Sequence, residues 1–123
     1  PDGRDLFAWL AAEADETRRT AVLGEGARQI ALMHAAGVAH PDLNLRNLLV
    51  AGDEVYLLDF DKAAGSADPV PTARRARDLR RLARSARKLH ASIDWPAFRA
   101  GYGDAWPPGL DLAKLPAESS TND

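Results

Sequence analysis

Asp42, Asn47 and Asp59 are polar side chains with apolar neighbours, two of them on one segment, residues 40–47, next to Leu43 and Leu48, and the third between Leu58 and Phe60. An acid flanked in that way is costly to bury unless a cation or hydrogen-bond donors serve it. Asn47 and Asp59 offer one neutral and one charged oxygen. Such a pair suits Mg²⁺, a hard ion that takes few protein oxygens and leaves phosphate and water to fill its shell. Asp42, five residues before Asn47, can stand beside the ion and still accept a proton from an incoming hydroxyl. The plainer reading is that Asp and Asn only make turns and caps.

Those side chains need a loop and a strand end, and the surrounding sequence supplies both. Leu48-Leu49-Val50 and Val55-Tyr56-Leu57-Leu58 are short apolar runs separated by Ala51-Gly52-Asp53-Glu54, a turn composition, which predicts a small hairpin. Residues 40–47 precede it and are too polar for a core element. Upstream, Asp5 can cap a short helix carrying Leu6, Phe7, Trp9 and Leu10, with residues 15–20 as its exit. A longer helix follows with Leu23, Ala27, Ile30 and His34 on one face, weakened in its first turn by Gly24 and Gly26 and ended by Gly37. Downstream, Pro69 and Pro71 break the chain before a basic helix over about residues 72–91, with Ala76, Leu79, Leu82, Ala86 and Leu89 as its apolar stripe. Residues 95–102 predict another short helix. From Pro107 the composition turns to Pro, Gly, Ser, Asn and Asp, so residues 107–123 read as a disordered tail behind a unit of residues 1–106. The expected class is α+β, mainly α with a small β-hairpin.

The chain has 123 residues, 46% hydrophobic and 28% charged, which is the make-up of one globular unit with a modest core. It has no cysteine, and disulfides, thiolate metal sites and cysteine nucleophiles are thereby excluded. Its apolar runs fall far short of the roughly 20 residues that span a bilayer, and no secretory pattern opens it, so the cytoplasm is the expected location. An opening Pro1 in place of Met reads as a piece cut from a longer protein. The net charge of −2 hides an asymmetry: residues 74–90 hold eight of the sixteen cations against one acid, Asp78, so that segment is +7 and the remainder −9. Such a stripe suits an anionic partner, or is a solvated helix face. Nucleic acid is not expected, because the acidic remainder repels its backbone. His34 and His40 are not spaced as metal ligands and read as core or scaffold, and Trp95, Phe98, Tyr102 and Trp106 read as packing.

The segment His40-Pro41-Asp42-Leu43-Asn44-Leu45-Arg46-Asn47 resembles the protein-kinase catalytic loop H-R-D-L-x-x-x-N, and Asp59-Phe60-Asp61 resembles the metal-binding D-F-G, in the right order with a hairpin between. Type, order and spacing match together, which outweighs the turn-and-cap reading. The departures narrow the resemblance: Pro41 replaces Arg, Asn44 replaces Lys, and Asp61 followed by Lys62 replaces Gly. With the helix Leu79-Arg80-Arg81-Leu82-Ala83-Arg84-Ser85 and the spacing Trp95, Phe98, Tyr102, the sequence from about Leu6 to Tyr102 resembles the 3-deoxy-D-manno-octulosonic acid (Kdo) kinases of lipopolysaccharide synthesis.

That resemblance implies the C-terminal lobe of a protein-kinase-like fold that uses ATP and Mg²⁺. The implied acceptor is the 4-hydroxyl of Kdo on the lipid A precursor, at the cytoplasmic face of the inner membrane. It makes Asp42 the catalytic base, with Asn44 in the place from which protein kinases reach the γ-phosphate with a lysine. Asn47 and Asp59 would hold magnesium against the phosphates, and Leu49 and Leu58 would form the apolar floor under adenine. His40 would pack against the Asp-Phe-Asp turn. No glycine-rich G-x-G-x-x-G is present, and Lys62, Lys88 and Lys114 all follow the loop, so the chain holds about half of an ATP site and the isolated chain is expected to be inactive. Arg77, Arg81, Arg84 and Lys88, spaced i+4, i+3 and i+4, would share a helix flank able to meet anionic headgroups. Two other functions stay open: another kinase-like phosphotransferase of the aminoglycoside or choline kinase type, and an inactive domain that only binds anionic lipid.

Overall fold

The computed structural model describes residues 3–58 and 68–114. Its first strand, β1 (Arg4–Asp5), is too short for any apolar alternation to announce it. Asp5 ends the strand and caps α1 (Leu6–Ala12), its carboxylate accepting from the Ala8 amide at 2.8 Å. Leu6 and Leu10, one turn apart, carry the buried face of α1.

The segment expected as the exit of α1 is instead the start of the next helix. Asp15 accepts from the amides of Thr17 (2.9 Å) and Arg18 (3.2 Å), an N-cap that satisfies two otherwise unpaired donors and starts α2 (Glu16–Ala35). Gly24 and Gly26 therefore lie inside α2 rather than in its first turn. Gly24 faces Gly101 so closely that a Cβ on Gly101 would lie 2.1 Å from the Gly24 carbonyl oxygen. Val22, Leu23, Ala27, Ile30, Met33 and His34 are buried, and Gly37, at φ 88°, follows the helix end as expected.

A 3₁₀ turn (Leu45–Asn47) leads into β2 (Leu48–Ala51) and β3 (Glu54–Leu57), the expected hairpin, with Gly52 at φ 64° in its two-residue turn. β1 adds on the other side of β2, giving an antiparallel sheet in the order β1-β2-β3 where a hairpin alone was expected. Leu48, Val50 and Val55 bury one face of it.

The basic helix is α3 (Thr72–Lys88), shorter than the expected 72–91. His90 takes a left-handed conformation (φ 55°), and the Ala91 amide turns back to the Ala86 carbonyl (2.9 Å), a C-terminal motif that stops the helix. Ala76, Leu79, Leu82 and Ala86 are buried as the stripe requires, with Leu89 half-buried beyond the end. α4 (Trp95–Tyr102) has the expected bounds, capped by Asp94 on the Ala97 amide at 3.1 Å. Phe98 and Tyr102 meet Trp106 edge to face. Within the stretch expected as a tail, Pro107 and Leu112 are buried: Trp106 Nε1 donates to the Leu110 carbonyl at 3.0 Å, and Leu112, in a 3₁₀ turn (Leu112–Lys114), is 4% exposed in the core. Residues 115–123 lie outside the described residues.

Candidate active site

The loop of residues 40–47 is held from below by its apolar members. Leu43 and Leu45 are buried, so Asp42 between His40 and Leu43 comes to the surface. His40 is 1% exposed, and its amide donates to Asp78 Oδ2 at 2.8 Å while its Nε2 donates to the Leu58 carbonyl at 3.3 Å. That second bond reaches the residue just before Asp59; the Asp-Phe-Asp turn against which His40 was expected to pack lies outside the described residues.

Asn44 and Asn47 cap the 3₁₀ turn reciprocally. Asn44 Oδ1 accepts from the Arg46 amide (2.8 Å), and Asn47 Oδ1 accepts from the Asn44 amide (2.9 Å). Asn44 Nδ2 donates to the Asp42 carbonyl at 3.1 Å. The Asn44 side chain is thus turned onto the loop's own backbone, at the position where the resemblance placed a contact to phosphate. Asn47 is 6% exposed, and its side-chain amide oxygen is a neutral hard donor of the kind a divalent cation takes.

The Leu58 amide donates to the Asn47 carbonyl at 2.7 Å, extending the Leu48–Leu57 pairing by one step. The chain leading to Asp59 is therefore brought alongside Asn47. Asp59 itself, with Phe60, Asp61 and Lys62, lies outside the described residues. One amide oxygen here with a carboxylate one residue beyond Leu58 is a donor set that fits Mg²⁺. Among the described residues no group of three His, Asp or Glu side chains gathers as a metal site.

Leu49 and Tyr56 are cross-strand partners, and Leu58 follows Tyr56 by two, so all three belong to one sheet face. Leu49 is half-buried beside Gly3, where an added Cβ would come within 2.9 Å of Leu49 Cγ. Tyr56 (47%) and Leu58 (37%) are exposed, leaving this face open beside the loop. Sequence reasoning singled out Leu49 and Leu58 and passed over Tyr56.

It also missed Asp78, which had counted only as the lone acid of the basic segment. Asp78 is fully buried, and its Oδ2 accepts from both the His40 amide and His34 Nε2 (2.9 Å). His34 Nδ1 meets the Tyr102 hydroxyl at 2.7 Å, which in turn accepts from Arg75 at 3.1 Å, while Arg75 Nε donates to the Val70 carbonyl at 2.7 Å. Burial pushes the Tyr102 hydroxyl above the usual phenol range, against the pull of Arg75. A signal did exist: Asp78 lies next to Leu79 and four residues before Leu82, on the apolar side of its helix.

Of the four cations expected on one flank, Arg77 and Lys88 are exposed, whereas Arg81 and Arg84 are half-buried, so the stripe is not uniformly presented to solvent.

The lipopolysaccharide kinase (Kdo/WaaP) family model matches residues 2–102. The chain belongs to this family. A 3-deoxy-D-manno-octulosonic acid kinase of Stenotrophomonas maltophilia is 38% identical over 102 residues, covering 72% of this chain and 40% of the relative. One from Vibrio parahaemolyticus is 35% identical over 98 residues, covering 77% of this chain and 39% of the relative. This Kdo/WaaP-family chain thus spans about two-fifths of the length of the curated relatives it matches. A solved structure of WaaP in complex with acyl carrier protein superposes with a TM-score of 0.68 at 24% identity, over 81% of this chain and 46% of that one, which shows the shared kinase fold.

Proposed function

We propose that the chain carries the catalytic loop of an ATP-dependent sugar kinase of lipopolysaccharide core synthesis, with the 4-hydroxyl of Kdo on the lipid A precursor as acceptor. The observation that carries this reading is the loop itself: Asp42 is exposed between buried His40 and Leu43, and the Asn47 carbonyl accepts from the Leu58 amide, one residue from Asp59. In this reading Asp42 orients the acceptor hydroxyl and takes its proton as the phosphoryl group moves. Asn47 and Asp59 hold Mg²⁺, which when bound neutralises charge on the phosphates. Leu49 and Leu58 lie under adenine. Asn44 acts by shaping the loop and contributes no charge. The exposed cations of α3 face anionic headgroups at the cytoplasmic side of the inner membrane. The chain by itself is expected to turn over no ATP, since its 123 residues hold no glycine-rich phosphate loop.

The test is phosphate transfer from ATP to a Kdo-bearing lipid A precursor by the full-length protein that carries these residues. Asp42→Asn is expected to lower kcat at least roughly 100-fold with the KM for ATP nearly unchanged, the scale of losing a positioned base. Transfer to an aminoglycoside or choline and not to Kdo would replace the acceptor assignment; full turnover by Asp42→Asn would remove Asp42 from the chemistry.

A further inference from the structure

Five backbone amides of the catalytic loop and its 3₁₀ turn are satisfied locally. Leu43 donates to the His40 carbonyl, Asn44 to Asn47 Oδ1, Arg46 to Asn44 Oδ1, Asn47 to the Asn44 carbonyl, and Leu48 to the Leu45 carbonyl. Leu45 is different. Its amide, on a residue 1% exposed, donates at 3.1 Å to the hydroxyl of Ser85, forty residues away on α3. The hydroxyl's own proton goes to the Leu82 carbonyl at 2.7 Å, and this turns a lone pair toward the loop. The other long-range bond made by a loop amide, from His40 to Asp78, lands on the same helix. Asp78 and Ser85 are seven residues apart, two turns or about 10 Å along the axis. Asp42 and Asn44 lie in the span between the two attachment points.

We propose that Ser85 is a positioning residue of the catalytic loop: its oxygen holds the Leu45 amide while Asp78 holds the His40 amide, and the two together fix the span that presents Asp42. The kinetic consequence rests on the phosphotransfer reading above; the tether itself does not. A buried amide that loses its acceptor must find another, and the loop moves to supply one. Small displacements of a reacting group are enough to slow the chemical step.

The experiment uses the full-length protein with Ser85→Ala and Ser85→Thr, the second of which keeps an oxygen at the same place. Hydrogen exchange at the Leu45 amide is expected to speed up at least about tenfold in Ser85→Ala, and kcat to fall about tenfold at constant KM for ATP. Ser85→Thr is expected to restore both. Wild-type kcat in a folded Ser85→Ala protein overturns the proposal, and so does unchanged exchange at Leu45. Should Ser85→Ala fail to fold, Ser85→Cys, a weaker acceptor, carries the same test with the same signs. If the wild-type protein transfers no phosphate, the phosphotransfer reading falls, and Leu45 exchange alone decides whether Ser85 holds the loop.

Discussion

Tyr102 shows what a single buried group does to the whole. Burial holds its hydroxyl above the usual phenol range near 10, chiefly by desolvating the charged form. A phenol raised in the folded state contributes its full stability below that ordinary value. As pH rises through it, the unfolded chain gives up the proton first and stability is lost. Tyr102→Phe removes that contribution, so the urea midpoint is expected to fall less between about pH 9 and about pH 11 than in the parent. An equal fall in both proteins would assign the alkaline loss to other groups. Residues of this kind were only partly legible. Asp42 and Asn47 stand in a local motif whose spacing survives on the page as it does in space. Asp78 does not, because its partners His34 and His40 come from other elements and no nearby residue announces the pairing.

At the scale of elements, the contact between α2 and α4 depends on two residues without side chains. A Cβ on Gly101 would meet the Gly24 carbonyl oxygen at 2.1 Å and its Cα at 2.5 Å, backbone atoms that cannot swing aside. Gly101→Ala is expected to cost about 2–3 kcal/mol or more as the helices are forced apart, read as a lower urea midpoint. The opposite sign is expected at the end of α3, where exposed His90 occupies a left-handed position. His90→Gly removes that steric penalty and should raise the melting temperature by an amount worth roughly 0.5–1 kcal/mol. An unchanged or lower melting temperature would show that the His90 side chain makes up for its backbone. The long elements were readable because an apolar stripe repeats along α2 and α3. Boundaries were not: Asp15 is equally at home leaving one helix or capping the next, and only the amides of Thr17 and Arg18 decide it. β1 has two residues, fewer than one period of alternation.

For the molecule as a whole, the charge asymmetry belongs to one helix, and its exposed ends are where an anionic surface would be met. Arg77→Gln with Lys88→Gln is expected to weaken binding to phosphatidylglycerol vesicles at low salt and to flatten its salt dependence, with circular dichroism unchanged. Equal binding by the double variant at both salt levels would leave α3 as a solvated face. The tethers described for the loop also set an order of events. His40 and Leu45 reach their partners 38 and 40 positions later in the chain. During synthesis residues 40–47 leave the ribosome well before the helix that fixes them, so a nascent chain ending near residue 71 would hold Asp42 and Asn47 in a loop without its two tethers. Both attachments, to Asp78 and to Ser85, can form only once α3 has been made, so the geometry of this loop is completed late in synthesis.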